Sequence, residues 1–196
     1  PEPFNHEEIY SYDLAGNRLS VTDRRGNTTS FEYDELNRQK KIIAAAPFSY
    51  TEMFDYDAVG NRIKHIDRRG IVTQTIYDRE NRVSEILRDG LSTEQRSYDP
   101  AGNLRFLTDA NQNTSSFEYD ERNLMIAENR PLAAITRYEY DAMGDAIVAQ
   151  DPENRRTLSV YDLRRRKKSQ TRQRDDGPDE TVLYDYDGNG NQILWE

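Results

Sequence analysis

One periodic motif constrains what this chain can fold into: the dipeptide Tyr-Asp recurs along its whole length. The intervals between successive in-register copies are 21, 23, 21, 21, 21, 21, 21 and 25 residues. A fixed period of this size indicates small structural units that each pack against their neighbours. The motif tyrosines are Tyr12, Tyr33, Tyr56, Tyr77, Tyr98, Tyr119, Tyr140, Tyr161 and Tyr186. We interpret residues 1–196 as a single array of nine repeats.

Within a repeat, the pattern is that of a strand followed by a tight turn. Most motif tyrosines have an aromatic residue two positions earlier, as in Phe31 and Tyr33, which places both rings on one face of a strand. We expect these rings to stack between neighbouring strands. After Asp and two variable residues comes Gly or Asn, which tolerate positive φ, so we predict a type I turn with a G1 bulge, capped by the aspartate. Positive φ is predicted at Gly16, Gly60, Gly102, Gly144, Gly190, Asn37, Asn81 and Asn123.

Two departures from the period carry further expectations. Arg165 stands where Gly or Asn is expected, so we predict that its turn is strained or differently built. The repeats with Gly contain a second Asp-led turn, whereas longer loops in the repeats with Asn explain the intervals of 23 and 25. The second turns begin at Asp23, Asp67, Asp109 and Asp151. The predicted fold is all-β, built from antiparallel β-hairpin repeats of about 21 residues.

Composition alone would favour disorder, because 32% of the residues are charged and only 35% are hydrophobic. The strict period argues against disorder. A net charge of −9 argues against a nucleic-acid partner, which would require a basic face. We find no apolar run of the ~20 residues that a membrane-spanning helix needs. The chain has no cysteine, so disulfides and thiolate chemistry are excluded.

The motif Tyr-Asp-x-x-Gly-Asn-Arg, found at residues 12–18 and 56–62, resembles the YD repeat of Rhs proteins. The same repeat occurs in the C subunits of insecticidal toxin complexes, in wall-associated proteins and in teneurins. The resemblance implies a spiralling sheet that is a segment of a hollow shell, with the rest of that shell and an enclosed C-terminal toxin or cargo as partners. It implies a structural role, no enzymatic activity, and a secreted or cell-surface location, with bacterial toxin-type delivery favoured over an animal adhesion receptor. The alternative is an adhesion module that binds a glycan or a cell-surface protein.

The resemblance also implies that this is an interior part of a shell. Asp151-Pro152-Glu153-Asn154 lacks the glycine of the Asp-Pro-x-Gly signature that ends bacterial shells. The chain opens at Pro1 without a Met, so we expect an excised segment. About sixteen strands at ~4.8 Å each would form roughly one turn of a spiral, too narrow to hold a folded cargo. Unpaired edges of such a sheet favour edge-to-edge self-association.

No catalytic, cofactor-binding or metal-binding residue is predicted. Residues 185–196, from Asp185 to Glu196, match a calcium-loop pattern, but Gln192 stands where an apolar residue is usual and no helix flanks the loop. The basic run of residues 164–168 could attract an anionic partner, although a solvated turn is favoured. His6 and His65 are far apart in sequence, and no serine lies in a Gly-x-Ser-x-Gly context.

Overall fold

The computed structural model of the chain describes residues 7–194. Within this range the protein contains eighteen β-strands, no α-helix and one 3-10 turn, Pro131–Ala133. The predicted all-β class and antiparallel hairpin repeats are therefore confirmed. The strand count exceeds the expected sixteen because the ninth repeat contributes a hairpin of its own. The contacts divide the chain after Gln95 into two compact units, and the single nine-repeat array stays a prediction.

The first unit is an antiparallel meander in which each strand pairs with the next one along the chain. Its strands are β1 (Ile9–Tyr12), β2 (Arg18–Thr22), β3 (Thr28–Tyr33), β4 (Gln39–Ala44), β5 (Tyr50–Tyr56), β6 (Arg62–Ile66), β7 (Val72–Tyr77) and β8 (Val83–Arg88). Strand β9 (Leu91–Tyr98) begins in this unit and ends in the second. Short connections between consecutive strands explain why neighbours in sequence are neighbours in the sheet.

The second unit repeats the same meander, and each of its strands again pairs antiparallel with the next. Its strands are β10 (Leu104–Asp109), β11 (Thr114–Tyr119), β12 (Met125–Arg130), β13 (Ala134–Tyr140), β14 (Ala146–Gln150), β15 (Arg156–Tyr161), β16 (Lys167–Arg172), β17 (Glu180–Tyr186) and β18 (Gln192–Leu194). No helix of the described residues is long and apolar enough to cross a membrane.

The turns after the motif tyrosines have the predicted backbone. All eight Gly and Asn positions named above have positive φ, between 83° and 103° for the glycines and between 58° and 62° for the asparagines. The pairing register shifts beside the tyrosine in seven of these hairpins, as a G1 bulge requires. The repeat parsing is thus confirmed at the level of individual φ angles.

Few side chains in either unit are buried. The buried apolar residues among those described are Ala44, Phe54, Ala127 and Val148. The accessible surface is 14317 Å² for a chain of 22.9 kDa, against roughly 9,600 Å² expected of a compact monomer. The two faces of β3 do not differ in burial, because every residue from Thr29 to Tyr33 is of intermediate exposure. The strands therefore depend on hydrogen bonds more than on a core.

Candidate functional site: the aspartate-capped turns

The recurring structural element of the chain is the turn that follows each motif tyrosine, here called the motif turn. In the first one, the backbone N–H of Asp13 donates to the carbonyl of Asn17 at 2.9 Å, and Gly16 N–H donates to the Asp13 carbonyl at 3.2 Å. The carboxylate Oδ1 of Asp13 accepts the N–H groups of Ala15 and Asn17 at 2.9 and 2.8 Å. Its Oδ2 accepts the side-chain amide of Asn17 at 2.9 Å. One carboxylate thus satisfies three donors of a five-residue turn.

The same cap is present throughout both units. Where the cap is complete, Oδ1 accepts the N–H groups two and four residues later at 2.8–3.1 Å. These capping residues are Asp13, Asp34, Asp57, Asp78, Asp120, Asp141, Asp162 and Asp187 in motif turns, and Asp23, Asp67, Asp109 and Asp151 in second turns. The predicted role of the repeated aspartate is therefore confirmed.

Capping favours the ionised form of these carboxyl groups. At Asp13 the pKa lies below the ordinary 3.8, first because of the hydrogen bond from the Asn17 side chain and then because of those from backbone N–H groups. At Asp57 desolvation is the largest influence and raises the pKa, but the combined hydrogen bonds from Asn61, Gly60 and Val59 lower it overall. In all, the pKa is lowered at twelve turn aspartates.

Neighbouring motif turns of a unit are joined to each other along one edge of the sheet, which we call the turn rim. The asparagine that follows a turn glycine donates its side-chain amide to the turn asparagine of the next repeat. These amide links join Asn17 to Asn37 at 2.7 Å, Asn61 to Asn81 at 2.9 Å and Asn103 to Asn123 at 2.8 Å.

Arginines supply a second kind of link along the turn rim. Arg38 closes the cap of Asp34 through Nε at 2.7 Å and donates Nη1 to the carbonyl of Asp57, in the following motif turn, at 2.9 Å. Arg122 makes the equivalent bond to the carbonyl of Asp141 at 2.9 Å. Sequence reasoning missed both kinds of link, although a signal was present: Gly-Asn and Asn-Arg alternate over the first five motif turns.

Among the described residues, six motif tyrosines connect their repeat to the preceding one through their hydroxyl groups. The hydroxyl donates to a backbone carbonyl 15–19 residues earlier, at 2.7–3.2 Å, at the start of a strand. The tyrosines concerned are Tyr33, Tyr56, Tyr77, Tyr140, Tyr161 and Tyr186. Stacking between aromatic rings was expected instead. Arginines cover two of these rings: the Arg38 guanidinium lies 4.8 Å from the ring centroid of Tyr56, and that of Arg166 lies 4.5 Å from the ring centroid of Tyr186.

The turn at Arg165 is built like the others, which corrects the expectation of a different construction. Arg165 has a φ of 62°, and its N–H donates to the Asp162 carbonyl at 2.9 Å. The Asp162 carboxylate caps the N–H groups of Arg164 and Arg166 at 2.8 and 2.9 Å. The left-handed conformation is unfavourable for a residue with a Cβ, so the strain is confined to one backbone position.

Two of the five residues in the basic run of residues 164–168, Arg165 and Arg166, are engaged within the protein. Arg165 donates to both carboxylate oxygens of Asp145, at 2.8–3.2 Å. Arg166 pairs with Asp162 at 2.8 Å, and its guanidinium covers Tyr186. These contacts favour the interpretation of the run as a structural turn and strand.

The calcium-like pattern contains carboxylates that are already in use. Asp187 accepts the N–H groups of Asn189 and Asn191 and the side-chain amide of Asn191, at 2.8–2.9 Å. Asp185 accepts the N–H of Tyr186 at 2.8 Å. Glu196, the last residue of the pattern, lies outside the described residues. Over residues 7–194 no cluster of three or more His, Cys, Asp or Glu side chains could hold a metal ion.

Of the two histidines, the described one, His65, lies against an aromatic ring and a carboxylate. His65 stacks on Phe54 with ring centroids 4.8 Å apart, and its Nε2 lies 3.1 Å from Glu52. His6 lies outside the described residues. In the first unit an open groove of about 560 Å³ is floored by Ile63, Ile76 and Leu87 and contains no histidine or serine in its lining.

These features define an all-β repeat protein made of capped hairpins. The family model "RHS Repeat" matches residues 12–46. That segment includes the first two motif turns, and the same capped geometry recurs in later turns, so residues 12–46 are similar to the RHS repeat and the later hairpins are built in the same way. No curated protein matches the chain significantly.

Solved structures of Tc toxin components have the same fold. The crystal structure of TcdB2-TccC3-TEV is 17% identical with a TM-score of 0.74, covering 94% of this chain and 12% of that chain. A Photorhabdus luminescens Tc holotoxin pore carrying a substitution in TccC3 is 18% identical with a TM-score of 0.73, with the same coverage. The crystal structure of TcdB2-TccC3 is 14% identical with a TM-score of 0.62. This chain spans 12–15% of the length of these proteins.

Proposed function

We propose that the chain is a non-catalytic wall segment of an Rhs-type shell, and that the full-length protein uses this shell to enclose or display a toxin or other cargo. The observation that carries the proposal is the repeated, mutually linked motif turn, in a fold similar to TccC3-containing assemblies over 94% of the chain. Because each repeat hydrogen-bonds to the next, repeats can be added without a core that grows in proportion.

The burial pattern supports a wall. Both faces of strands such as β3 are of intermediate exposure, so each unit is a single layer rather than a domain folded around a core. A single layer leaves one face for an enclosed segment and one for solvent. The partners under this proposal are the remaining shell and the cargo, and the location is secreted or at the cell surface, by toxin-type delivery. The glycan- or cell-surface-binding alternative stays a prediction.

Protection of the cargo tests this proposal. In the full-length polypeptide that carries these repeats, the segment beyond the shell should resist protease while the wall is intact. The variant N17L/N61L removes two amide links and two cap bonds from one turn rim. We expect it to make the cargo digestible while the array keeps its β-sheet circular dichroism.

The matched control is R24S/R68S, two exposed substitutions at the tips of second turns. It should leave the cargo as resistant as in the unmodified protein. A cargo that is digested equally fast in all three proteins contradicts enclosure. Specific binding of the array to a glycan surface, without protection of any segment, would support the adhesion alternative instead.

A further inference from the structure

The seventh and eighth repeats are joined by a link that differs in chemistry from the other described links at these positions. In the pairs Asn17–Asn37, Asn61–Asn81 and Asn103–Asn123, two amides twenty residues apart form one hydrogen bond. Residues 145 and 165 are the equivalent pair, and they are Asp and Arg. Arg165 donates Nη2 to Asp145 Oδ1 at 2.8 Å and Nε to Oδ1 and Oδ2 at 3.0 and 3.2 Å. Both members have changed, to opposite charges, and contact is retained.

Because of the environment of Asp145, the Asn-to-Asp difference at position 145 requires the accompanying Asn-to-Arg difference at position 165. In the first repeat, Asn17 donates to the capping carboxylate of Asp13 as well as to the next turn. Asp145 cannot donate to Asp141, so its own motif turn contains two carboxylates. Asp145 has a side chain that is only 12% exposed. The cation of Arg165 faces both carboxylates, and the hydrogen bond and charge of Asp145, followed by the charge of Asp141, raise the pKa of the Arg165 guanidinium.

A second substitution along the same turn rim shows the same retention of a link. Arg38 follows its turn asparagine and reaches the carbonyl of the next motif turn. At the corresponding position the sixth repeat has Leu124, which has no donor in its side chain. Arg122, two residues earlier, makes the bond to the Asp141 carbonyl instead and also reaches the Asp120 carboxylate at 3.1 Å. The hydrogen bond between these two motif turns is therefore present although Leu124 cannot supply it.

We infer that Asp145 and Arg165 act as one unit, a charged clamp that replaces the paired asparagines and marks the seventh and eighth repeats as neighbours. Near-identical repeats offer many alternative pairings, and a unique charged pair disfavours them. An Asp145 turn placed against a turn asparagine would leave two carboxylates without a cation. An Arg165 turn placed against an asparagine would lose its charged partner. Replacing only one of the two residues should therefore destabilise this contact.

A double-mutant cycle on the intact chain tests the clamp, with D145N, R165N and D145N/R165N compared by hydrogen exchange of residues 141–146 and 162–166. We expect R165N to exchange about three- to tenfold faster than the unmodified protein, as the loss of a partly exposed ion pair implies. The double variant should return to within about twofold, because two asparagines re-create the amide link. We expect exchange in the unmodified protein to depend on salt between about 10 mM and 1 M, because salt screens the ion pair, and we expect D145N/R165N to lose this dependence.

The matched control transfers the clamp to the second amide link. N61D/N81R should keep the protection of its turn, whereas N61D alone should lose it. The inference is overturned if the exchange rates of the double variant equal the product of the two single effects, because the positions would then act independently. Exchange at residues 162–166 of the unmodified protein that is insensitive to salt would also overturn it. If R165N does not fold, D145N is compared directly with the double variant: faster exchange in D145N supports the clamp, and equal or slower exchange in D145N overturns it.

Discussion

Replacing Gly16 with alanine isolates the energetic cost of the left-handed turn position. Gly16 has a φ of 88°, and a Cβ added there would meet no atom within 4 Å. The penalty therefore comes from the backbone alone, about 1–2 kcal/mol for an L-residue in this region. For an array of this length, ~1.5 kcal/mol corresponds to a fall in melting temperature of roughly 3–6 °C. Asparagine at the same position should cost less, because Asn37 occupies the equivalent site with a φ of 58°.

Thermal unfolding followed by circular dichroism measures these differences, with Gly188→Ala as the matched control. Gly188 lies in a motif turn and also has open space around it, but its φ is not in the left-handed region. Alanine there should be neutral or should stabilise by up to about 1 kcal/mol, through the unfolded state. A melting temperature of Gly16→Ala equal to that of the unmodified protein would show that the turn conformation is not required. Equal losses at Gly16 and Gly188 would show that the left-handed φ of Gly16 is not the source of the cost.

Four further outcomes are expected. Tyr56→Phe removes the hydroxyl bond to the Gln39 carbonyl, which should lower the free energy of unfolding by about 0.5–1.5 kcal/mol in a denaturant titration. Tyr50→Phe is the control, because the described residues show no such bond for Tyr50. The melting temperature should be constant near neutral pH and should decrease once the pH is lowered below about 4. Carboxyl groups whose folded pKa lies below the ordinary 3.8 stabilise the fold above that pH and lose this contribution as they protonate. A melting temperature that is unchanged down to about pH 2 contradicts this. Millimolar Ca²⁺ should leave the melting temperature unchanged, since the Asp187 carboxylate already accepts three hydrogen bonds, and a rise of several degrees would restore the calcium interpretation. Sedimentation should show association through the edge strands that increases with salt, and a strictly monomeric protein at all salt concentrations argues against it.

Contacts between residues close in sequence could be predicted, whereas contacts between residues about twenty positions apart could not. The cap of Asp13 involves residues within four positions, so the Asp-x-x-Gly spacing was sufficient to predict it. The left-handed φ of Asn37 followed from the same local pattern. The bond between Asn17 and Asn37 joins side chains twenty residues apart. Periodicity shows that such residues occupy equivalent positions, but it does not give the distance between them across the turn rim.

Arg165 is a second case in which a contact with a residue distant in sequence was not predicted. The local pattern correctly identified it as an unfavourable residue for a left-handed position, and its φ of 62° confirms that the position is left-handed. Of the two expected alternatives, a strained turn or a different construction, the left-handed φ agrees with the first, and the turn keeps the common construction. The contact with Asp145, which lies in the preceding motif turn, could not be read from the local pattern. A local penalty of this kind is tolerated where surrounding structure holds the residue in place.

The capped turns explain how a chain with 32% charged residues can form an extended sheet. In a globular domain, stability grows with the apolar core, and buried polar groups are a cost. Here aspartates satisfy turn donors while remaining at the surface, and six motif tyrosines bond to the preceding repeat. Such bonds recur from repeat to repeat in both units. A sheet made in this way needs no core that grows with the number of repeats.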